Sequence, residues 1–421
     1  MPSSGISWSG RSPLPVAETA RAGATLPPAV VLNMYATGLG IARNLAPHGV
    51  PVYGLSVQAD APGNFSKRCH ALRCPDSQDE PEALRAFLTD LAAHLGGRAL
   101  LLPTRDADIR FLDRHRTALE PYYEIPQPSG DPLDVIMNKH RLAEEARAAG
   151  VPTPLTMRLR SREDARDAAA RFAYPVVAKA VYAQDWRKPG IADAVRRRKA
   201  VKIASAEELT QFFERVEPHH PDLLVQEWIE GPDDQCVVLG AYRGRGGRVL
   251  GWFTARKRLQ YPPEFGLGCI VRLETHPEVE GLGKRLLEAL LFEGIAEVEF
   301  KRHAPSGEYR LIEVNPRHWD QHSLGMTCGV NLAWIAYRDR VLGDALEPVS
   351  PNGAGGAWIS GSGLLGSLKE DLRHGRLRPW KIGDLVRGST RYAVWDPNDP
   401  GPFLGRRVGS TPVADGTPVR A

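Results

Sequence analysis

The sequence has few cysteines and no long apolar run, and both shortages exclude classes of protein. Five cysteines are scattered through 421 residues. An odd and sparse set does not build a disulfide framework, and the Cys69/Cys74 pair lacks the second ligand pair of a zinc site. No apolar stretch approaches the roughly 18 residues that a membrane span needs. These features predict a cytoplasmic protein.

An excess of one charge sign is also missing. Lys and Arg number 54 against 50 Asp and Glu, so the net charge is only +4. For a chain of this length, that excess does not indicate a nucleic-acid or membrane partner. The apolar share of 42% and the charged share of 25% are those of an ordinary globular protein. The length predicts two or three domains.

Three common signatures are incomplete. Gly38 and Gly40 follow a predicted strand, but Arg43 occupies the position of the third glycine of a dinucleotide fingerprint, which argues against NAD binding. His318 and His322 are spaced i, i+4 but lack the acid of a zinc-protease motif. No Ser-His-Asp or Cys-His frame indicates a protein nucleophile.

Residues 1–28 lack an apolar core, so they predict a disordered leader and not a secretory signal.

The first part of the chain alternates short apolar runs with helical patterns. Ala29–Met34, Val50–Leu55 and Ala99–Pro103 predict three strands of a doubly wound parallel sheet. Thr104 and Asp106 follow the third strand, where such sheets bind ligands. Helix capping by one of these two residues is an equally good interpretation.

The most informative stretch lies between residues 295 and 317. Two alternating segments, Ile295–Phe300 and Tyr309–Asn315, flank a Pro-Ser-Gly loop and predict a β-hairpin. Alternation predicts an apolar face formed by Ala296, Val298, Phe300, Ile312 and Val314. The opposite face then holds Glu297, Glu299, Glu313 and Asn315. A register symmetric about the loop places Glu299 opposite Glu313 and Glu297 opposite Asn315.

Facing carboxylates are destabilising unless something compensates them. At roughly 5 Å and an effective dielectric of about 20, two such charges repel by about 3 kcal/mol. Mg²⁺ favours carboxylate and amide oxygens and would convert this repulsion into attraction. From the pairing alone, a solvated polar face on an ordinary hairpin is an equally good interpretation.

The segments GIAEVEFKR and GEYRLIEVNPR resemble the metal-binding hairpin of the ATP-grasp superfamily, in which an acid on one strand precedes E-x-N-P-R on the next. The resemblance implies ATP and two Mg²⁺ ions as cofactors, with Mn²⁺ as an alternative ion. It implies that Glu299, Glu313 and Asn315 are the metal ligands. Arg317 would bind the substrate or the transferring phosphate, and Glu297 belongs to the predicted catalytic set.

Other segments carry the same resemblance in the family's order. Lys139 opens a helix that ends before Gly150-Val151-Pro152, and Lys179 lies in the apolar strand YPVVAKA. The resemblance implies that both lysines bind ATP phosphates. A lysine in an apolar strand is costly unless it meets an anion, whereas Lys139 taken alone is more simply a solvated helix residue.

The segment LLVQEWIEG resembles the hinge that binds the nucleotide base. It implies an adenine edge formed by Gln226, Glu227 and Ile229. Asp233 or Asp234 would bind the ribose hydroxyls, and the sequence leaves the choice between them open.

ARKRLQYPPEFGLG resembles a segment of the carboxylate–amine ligase group, the D-aspartate ligase-like enzymes. It implies that Arg256 and Lys257 bind the γ-phosphate and the acyl phosphate.

The Arg-rich stretch Tyr182–Lys202 is predicted to be a mobile lid, with a surface charge run as an equal alternative. The segment His318–Ser323 is expected to line the substrate pocket.

The expected architecture is α/β, with a Rossmann-like pre-ATP-grasp domain followed by a two-lobed ATP-grasp fold. The expected divisions are the leader 1–28, the first domain 29–120, the ATP-grasp domain 121–345 with a lid lobe at about 155–230, and a C-terminal extension 346–421.

The implied activity is an ATP-dependent carboxylate–amine ligase, which forms an amide or peptide bond through an acyl phosphate and releases ADP and phosphate. A carboxylase that activates bicarbonate and a non-catalytic ATP-binding module are the alternatives. The expected partners are a small carboxylate and an amine of the amino-acid or peptide class, and a second copy in a homodimer. The sequence leaves the identity of the acid and the amine open.

Overall fold

The computed structural model describes residues 26–405, apart from 183–185, 187–190, 192–194, 196–199, 220–222, 353–354 and 374–387. Residues 1–25 of the predicted leader therefore lie outside the described part of the chain. Most of the predicted lid at 182–202 also lies outside them.

Five parallel strands form the first sheet, in the order β3-β2-β1-β4-β5. They are β1 Ala29–Leu32, β2 Val52–Ser56, β3 His70–Arg73, β4 Ala99–Leu102 and β5 Tyr123–Glu124. The connecting helices are α1 Ala36–Leu45, α2 Pro81–Leu95, α3 Asp106–Arg114 and α4 Arg116–Leu119. The predicted doubly wound sheet is confirmed, and its strand order reverses between β1 and β4.

Side-chain alternation along β1 explains why helices cover both faces of this sheet. Val30 packs in a core with Leu88 of α2, whereas Val31 packs on the other face with Ile41 of α1. Helix α1 approaches closely because Gly38 has no Cβ, which would lie 2.4 Å from the carbonyl oxygen of Asn33. The glycine that suggested a dinucleotide site thus serves helix packing.

Two helices, α5 Asp131–Met137 and α6 Lys139–Ala148, lead into a four-stranded antiparallel sheet of order β6-β9-β7-β8. Its strands are β6 Thr156–Leu159, β7 Val176–Ala180, β8 Ala200–Ile203 and β9 Leu223–Glu227. Helices α7 Arg162–Arg171 and α8 Ala206–Val216 cover one face. Ser161 and Ser205 cap these helices by accepting hydrogen bonds from the backbone N–H groups of Asp164 and Glu208.

The largest sheet has seven strands in the order β14-β13-β10-β11-β12-β15-β16. They are β10 Cys236–Arg243, β11 Val249–Tyr261, β12 Leu267–Leu273, β13 Gly294–Arg302, β14 Tyr309–Asn315, β15 Gly356–Ile359 and β16 Ser389–Tyr392. Its helices are α9 Pro277–Ala289, α10 Leu332–Tyr337, α11 Gly361–Arg373 and α12 Gly401–Leu404, with a 3-10 segment at Asp320–Cys328. No helix in the described part of the chain is both long and apolar enough to cross a membrane.

The predicted hairpin and its register are confirmed. Strands β13 and β14 pair antiparallel, with Glu299 opposite Glu313 and Glu297 opposite Asn315. The predicted position of Ile312 in the apolar face is wrong. The register shifts after Glu299, so that Phe300 faces Leu311, and Leu311 packs in the core with Val314. This bulge leaves Ile312 lining a cavity.

The C-terminal segment is joined to the first sheet by a buried carboxylate. Asp399 accepts hydrogen bonds from Arg43 Nε at 3.0 Å, Ser66 Oγ at 2.7 Å and the backbone N–H of Lys67 at 3.0 Å. Arg43 also donates to the carbonyl oxygen of Val394. The arginine that interrupts the dinucleotide fingerprint therefore holds the end of the described chain.

Candidate active site

Strands β13 and β14 bring three carboxylates and one amide together on one face of the large sheet. Glu297 and Glu299 are only 4% and 7% exposed, although both side chains are acidic. Asn315 connects the set, since its Nδ2 donates to Glu297 Oε2 at 3.0 Å and to Glu313 Oε1 at 3.2 Å. The solvated polar face considered from the sequence is therefore not what the structure contains.

Cations surround this acidic cluster. Lys257 of β11 is buried and donates to Glu299 Oε2. Burial raises the pKa of Glu297 to about 8; Lys257 opposes this, and the charges of Glu299 and Glu313 add to it. For Glu313, burial acts in the same direction, but Lys139, Lys257 and Lys179 outweigh it and lower the pKa. One acid of the cluster thus retains its proton near neutral pH, because the cations do not compensate all three charges.

The donor set fits a hard divalent cation. The Asn315 amide contacts Glu297 and Glu313 through its Nδ2 donor. Its Oδ1 accepts one hydrogen bond, from Arg317 Nη2 at 3.3 Å, so a second lone pair of this oxygen is available to a cation. Glu299 and Glu313 supply the carboxylate oxygens that Mg²⁺ prefers. A cation bound by these oxygens would compensate the negative charge of the acids, so that Glu297 could also lose its proton.

A small cavity lies beside the acids, between the four-stranded sheet, helix α6 and strand β14. Lys139 and Lys179 are its charged residues, and its apolar wall includes Leu142, Leu224 and Ile312. Lys179 Nζ donates to Gln226 Oε1 at 2.8 Å. Burial and the charge of Lys139 lower the pKa of Lys179 to about 8, against the opposing charges of Glu313 and Glu299. Two lysines that repel each other in a cleft are a candidate site for an anion.

The predicted hinge residues have unequal access to this cavity. Gln226 lines it and also donates from Nε2 to Thr156 Oγ1 at 3.0 Å. Glu227 is engaged elsewhere: its carboxylate accepts from Arg310 at 2.7 Å and from the Leu155 N–H at 3.2 Å. Its own N–H donates to the Leu155 carbonyl oxygen, and Ile229 is buried.

The two candidate ribose acids also differ. Asp233 Oδ2 accepts from the backbone N–H of Glu264 at 3.0 Å. The Asp234 carbonyl oxygen accepts from Arg256 Nη1 at 3.1 Å. Both residues are partly exposed in one 3-10 turn. The carboxylates of Asp233 and Asp234 therefore remain alternative candidates for binding the ribose hydroxyls.

Strand β11 separates Arg256 from Lys257, which the sequence had assigned to the same site. Arg256 pairs with Val237 across the sheet, on the face opposite the acids. There it donates to Glu274 Oε2 at 2.8 Å and lies 3.3 Å from His276 Nε2. The structure therefore does not bring Arg256 to the acidic cluster, because successive strand residues point to opposite faces.

Arg317 connects the acids to the first sheet. Its Nε donates to Asp106 Oδ1 at 2.8 Å, at the first residue of α3. Burial acts to lower the pKa of Arg317, but Asp106, Glu297 and Glu313 outweigh it and raise the pKa. Neither Thr104 nor Asp106 caps helix α3, since the Thr104 hydroxyl donates to Leu32 O and Asp108 accepts from the N–H groups of Thr104 and Arg105.

No protein-family model matches the chain. Its sequence is similar to the D-aspartate ligase of Enterococcus faecium (strain Aus0004), with 22% identity over 291 residues, 67% of this chain and 68% of the relative. It is also similar to the D-alanine–D-alanine ligase of Ectopseudomonas mendocina (strain ymp), with 27% identity over 226 residues, 52% of this chain and 67% of the relative.

Solved structures match over most of the chain. The biotin carboxylase domain of the Hydrogenobacter thermophilus 2-oxoglutarate carboxylase, in complex with MgADP, ADP and bicarbonate, gives a TM-score of 0.61 at 18% identity, covering 80% of this chain and 74% of that one. The L-amino acid ligase of Bacillus licheniformis gives 0.57 at 15% identity, covering 76% and 75%. The chain is distantly similar in sequence to these ligases, and its fold is the ATP-grasp fold. At these identities, the structural matches show the ATP-grasp fold alone.

The sequence missed several residues of this ATP-grasp cleft. Thr156, which holds Gln226, and the apolar residues Leu142 and Leu224 carry no motif of their own. Ile312 was identifiable as a strand residue, but only the bulge decides that it lines the cleft. Asp106 follows strand β4, and its position there was a usable signal, although its partner Arg317 lies 211 residues away.

Proposed function

We propose that this protein is an ATP-dependent carboxylate–amine ligase, which joins a small acid to an amine as an amide or peptide bond. Curated relatives named as D-aspartate ligase and D-alanine–D-alanine ligase support it. Amino acids or short peptides are the proposed substrate class.

The proposal rests on one observation: two facing acids, of which Glu299 is buried and Glu313 half-buried, lie next to a cleft whose charged residues are lysines. Glu299 and Glu313 stand directly opposite each other on β13 and β14. Lys139 and Lys179 line the adjoining cavity. A triphosphate with divalent cations satisfies both groups at once, because it is negative toward the lysines and presents cations to the acids.

In the first step, a carboxylate oxygen of the acid attacks the γ-phosphorus of ATP. The bond from that phosphorus to the β–γ bridging oxygen breaks, and ADP leaves with its electron pair. Lys139 and Lys179 would bind the phosphates, and Arg317 would bind the anionic group in transfer. Mg²⁺ held by Glu299, Glu313 and Asn315 would screen the phosphate charge when bound.

In the second step, the amine nitrogen attacks the acyl carbon, phosphate leaves, and the nitrogen loses a proton. Lys257 would hold Glu299 in place through its buried ion pair, and Glu297 would orient the Asn315 amide. Gln226 would contact the adenine. Glu227 and Ile229 would shape the hinge, and either Asp233 or Asp234 would bind the ribose.

A second candidate function is carboxylation, with bicarbonate as the activated acid. A biotin carboxylase domain solved with bicarbonate shares the fold, which makes this reaction the second candidate, but the shared fold does not separate it from the ligase reaction. The ligase is preferred because the sequence similarity extends over 67% of the chain toward a D-aspartate ligase.

An ADP-release screen over amino acids and dipeptides, with and without bicarbonate, separates the candidates. ADP formation that needs both an acid and an amine supports the ligase. ADP formation that needs bicarbonate would replace it with the carboxylase. Tight ATP binding without turnover in any mixture would indicate a non-catalytic nucleotide-binding module.

A further inference from the structure

A second pocket lies beside helix α9, on the face of the seven-stranded sheet that is opposite the acids. Arg243 ends β10, Trp252 lies on β11, and Lys284 and Glu288 lie on α9. Alternation places Arg243 on the same face as Ala241, which packs in the core under this helix. The sheet therefore separates this pocket from the candidate active site.

Arg243 is the most deeply buried cation of the pocket. It is 8% exposed, whereas Lys284 is half-buried and Arg248 is exposed. In the described part of the chain, its guanidinium makes one hydrogen bond, from Nη1 to the Phe292 carbonyl oxygen at 2.7 Å, and no ion pair. An arginine is rarely buried without an anionic partner, because an uncompensated buried charge is costly. The burial of Arg243 therefore indicates an anion that the chain itself does not supply.

Two acids beside the pocket are paired with its other cations. Glu280 Oε1 accepts from Lys284 Nζ at 2.7 Å, four residues later on α9. Glu347 Oε2 lies 3.7 Å from Arg248 Nη2, and its side chain is 93% exposed, so this pair is weak. Neither carboxylate is an ion-pair partner of Arg243.

The turn after β10 contributes no acid to the pocket. Asp339 lies against Gly244 of this turn, but it accepts from the Tyr242 hydroxyl. Arg245 of the same turn pairs with Glu124. The charged side chains that line the pocket, among the described residues, are three cations and one acid: Arg243, Arg248, Lys284 and Glu288. The excess of cations attracts an anionic group.

The guanidinium of Arg243 is open to the pocket on the side of Gly247. A Cβ at Gly247, which lines the pocket, would lie 3.0 Å from Arg243 Nη2. The missing side chain thus leaves room beside the unpaired nitrogen. A guanidinium matches carboxylate and phosphate groups, because it can donate two parallel hydrogen bonds to their oxygens.

An apolar wall adjoins these charges. Val249, Trp252 and Pro348 line the pocket. Lys284 Nζ lies 3.3 Å from the centroid of a Trp252 ring, so the indole holds the ammonium group beside the pocket. Apolar walls with a few charged groups are typical of sites for small organic molecules. The pocket therefore favours an organic anion over a free inorganic ion.

We propose that this pocket binds a small organic anion through a phosphate or carboxylate group, with Arg243 as its main partner. Arg248 and Lys284 add positive charge at the rim, whereas Glu288 weakens the attraction. The site lies apart from the cleft proposed for ATP, so the inference does not depend on the ligase function.

NMR of the full-length protein with ¹⁵N-labelled arginine tests binding, because each guanidinium gives its own Nε–H signal. The probes are phenyl phosphate and benzoate, and sodium chloride at equal ionic strength is the control. Arg243→Lys assigns the Arg243 signal. We expect this signal to shift saturably with at least one probe, and the probe that acts identifies the group. Shifts no larger than those in chloride, or shifts confined to Arg317 in the candidate active site, overturn the proposal.

Charge variants test which residues surround the anion. Arg248→Gln should raise the Kd of the responding probe about threefold, and Glu288→Gln should lower it by about the same factor. Arg285→Gln is the matched control, because Arg285 follows Lys284 on α9, is exposed, and donates to the Gly150 carbonyl oxygen. Its Kd should equal that of the unmodified protein. One Kd shared by all three variants would contradict the proposal.

Probes that lack a ring test the apolar wall. Acetate and inorganic phosphate should bind about fivefold more weakly than benzoate and phenyl phosphate, because they bury no apolar surface. Equal affinity would overturn the assignment of an organic ligand. Arg248→Gln and Glu288→Gln change exposed residues, so they still test the site if Arg243→Lys fails to fold after losing its bond to Phe292.

Discussion

Lys179 is half-buried, and its pKa lies close to neutral pH, which makes its charge sensitive to pH and to ligands. Burial and Lys139 lower its pKa to about 8, while Glu313 and Glu299 act in the opposite direction. The unfolded lysine titrates near 10.5. Between these values the native state binds fewer protons than the unfolded state, so stability rises with pH in that window. An anion bound at Lys179 would restore the charge.

We expect the affinity for ATP to fall above about pH 8. If only the protonated lysine binds phosphate, the Kd for ATP rises by about tenfold for each pH unit above its pKa. In Lys179→Arg, the guanidinium remains charged, so the rise should disappear. Calorimetric titration of ATP across this range checks the effect. A Kd that varies equally with pH in both proteins would assign the effect to another group.

Glu313→Gln should remove Mg²⁺-dependent turnover and leave the fold intact. The amide has nearly the shape of the carboxylate but lacks its charge, so a loss on the order of 100-fold or more is expected. Glu308→Gln is the matched control, because Glu308 lies on the same hairpin and contacts Arg310, away from the acids. ADP release and thermal unfolding followed by circular dichroism are the measurements. Normal turnover in Glu313→Gln would overturn the metal assignment.

At the level of elements, strand β11 directs two adjacent cations to opposite faces of the sheet. Lys257 meets Glu299, whereas Arg256 meets Glu274 on the other face. Burial opposes the effect, but contacts with His276 and Arg256 lower the pKa of Glu274 to about 2. Arg256 thus stabilises an ion pair outside the candidate site.

The substitutions Lys257→Met and Arg256→Met should therefore have different consequences. Lys257→Met leaves a buried carboxylate unpaired, and we expect turnover to fall by on the order of 100-fold. Arg256→Met should lower the free energy of unfolding by about 1–2 kcal/mol with turnover largely retained. Steady-state kinetics and urea unfolding of the two variants check this. A comparable loss of turnover in both would place Arg256 in the site after all.

The hairpin was predictable from sequence because a short loop with Gly307 fixes its register, and its acids alternate strictly. The bulge at Ile312 was not predictable, since no Gly or Pro marks it. Strand β11 runs from Val249 to Tyr261 and so includes both Arg256 and Lys257, which the sequence analysis treated as one charged segment. Alternation along this strand would have separated Arg256 from Lys257. The burial of His318 and His322 depends on helix α1, which is distant in sequence.

At the level of the whole molecule, Asp399 joins the C-terminal segment to the first sheet. This carboxylate is 1% exposed and accepts from Arg43, Ser66 and the Lys67 backbone. Asp399 lies in the sequence DPNDPG at residues 396–401, within the predicted C-terminal extension. Its partners lie more than 300 residues away, so no local pattern could reveal them.

Asp399→Ala should lower the free energy of unfolding by about 3 kcal/mol, because it leaves the Arg43 guanidinium without its buried partner. Asn398→Ala is the control, since Asn398 is exposed beside it. Urea unfolding measures the difference, and limited proteolysis should cut the segment after Ile359 sooner in Asp399→Ala. Equal stability of the two variants would show that the segment is held by other contacts.

Strands β15 and β16 have a practical consequence for work with fragments of this chain. They lie beyond residue 345, yet β15 pairs with β12 and β16 pairs with β15. A fragment that stops at residue 345 would expose the backbone N–H and C=O groups of β12 along an open edge. Such edges recruit strands from other molecules. Expression of that fragment alone would therefore favour insoluble aggregates over an isolated catalytic core.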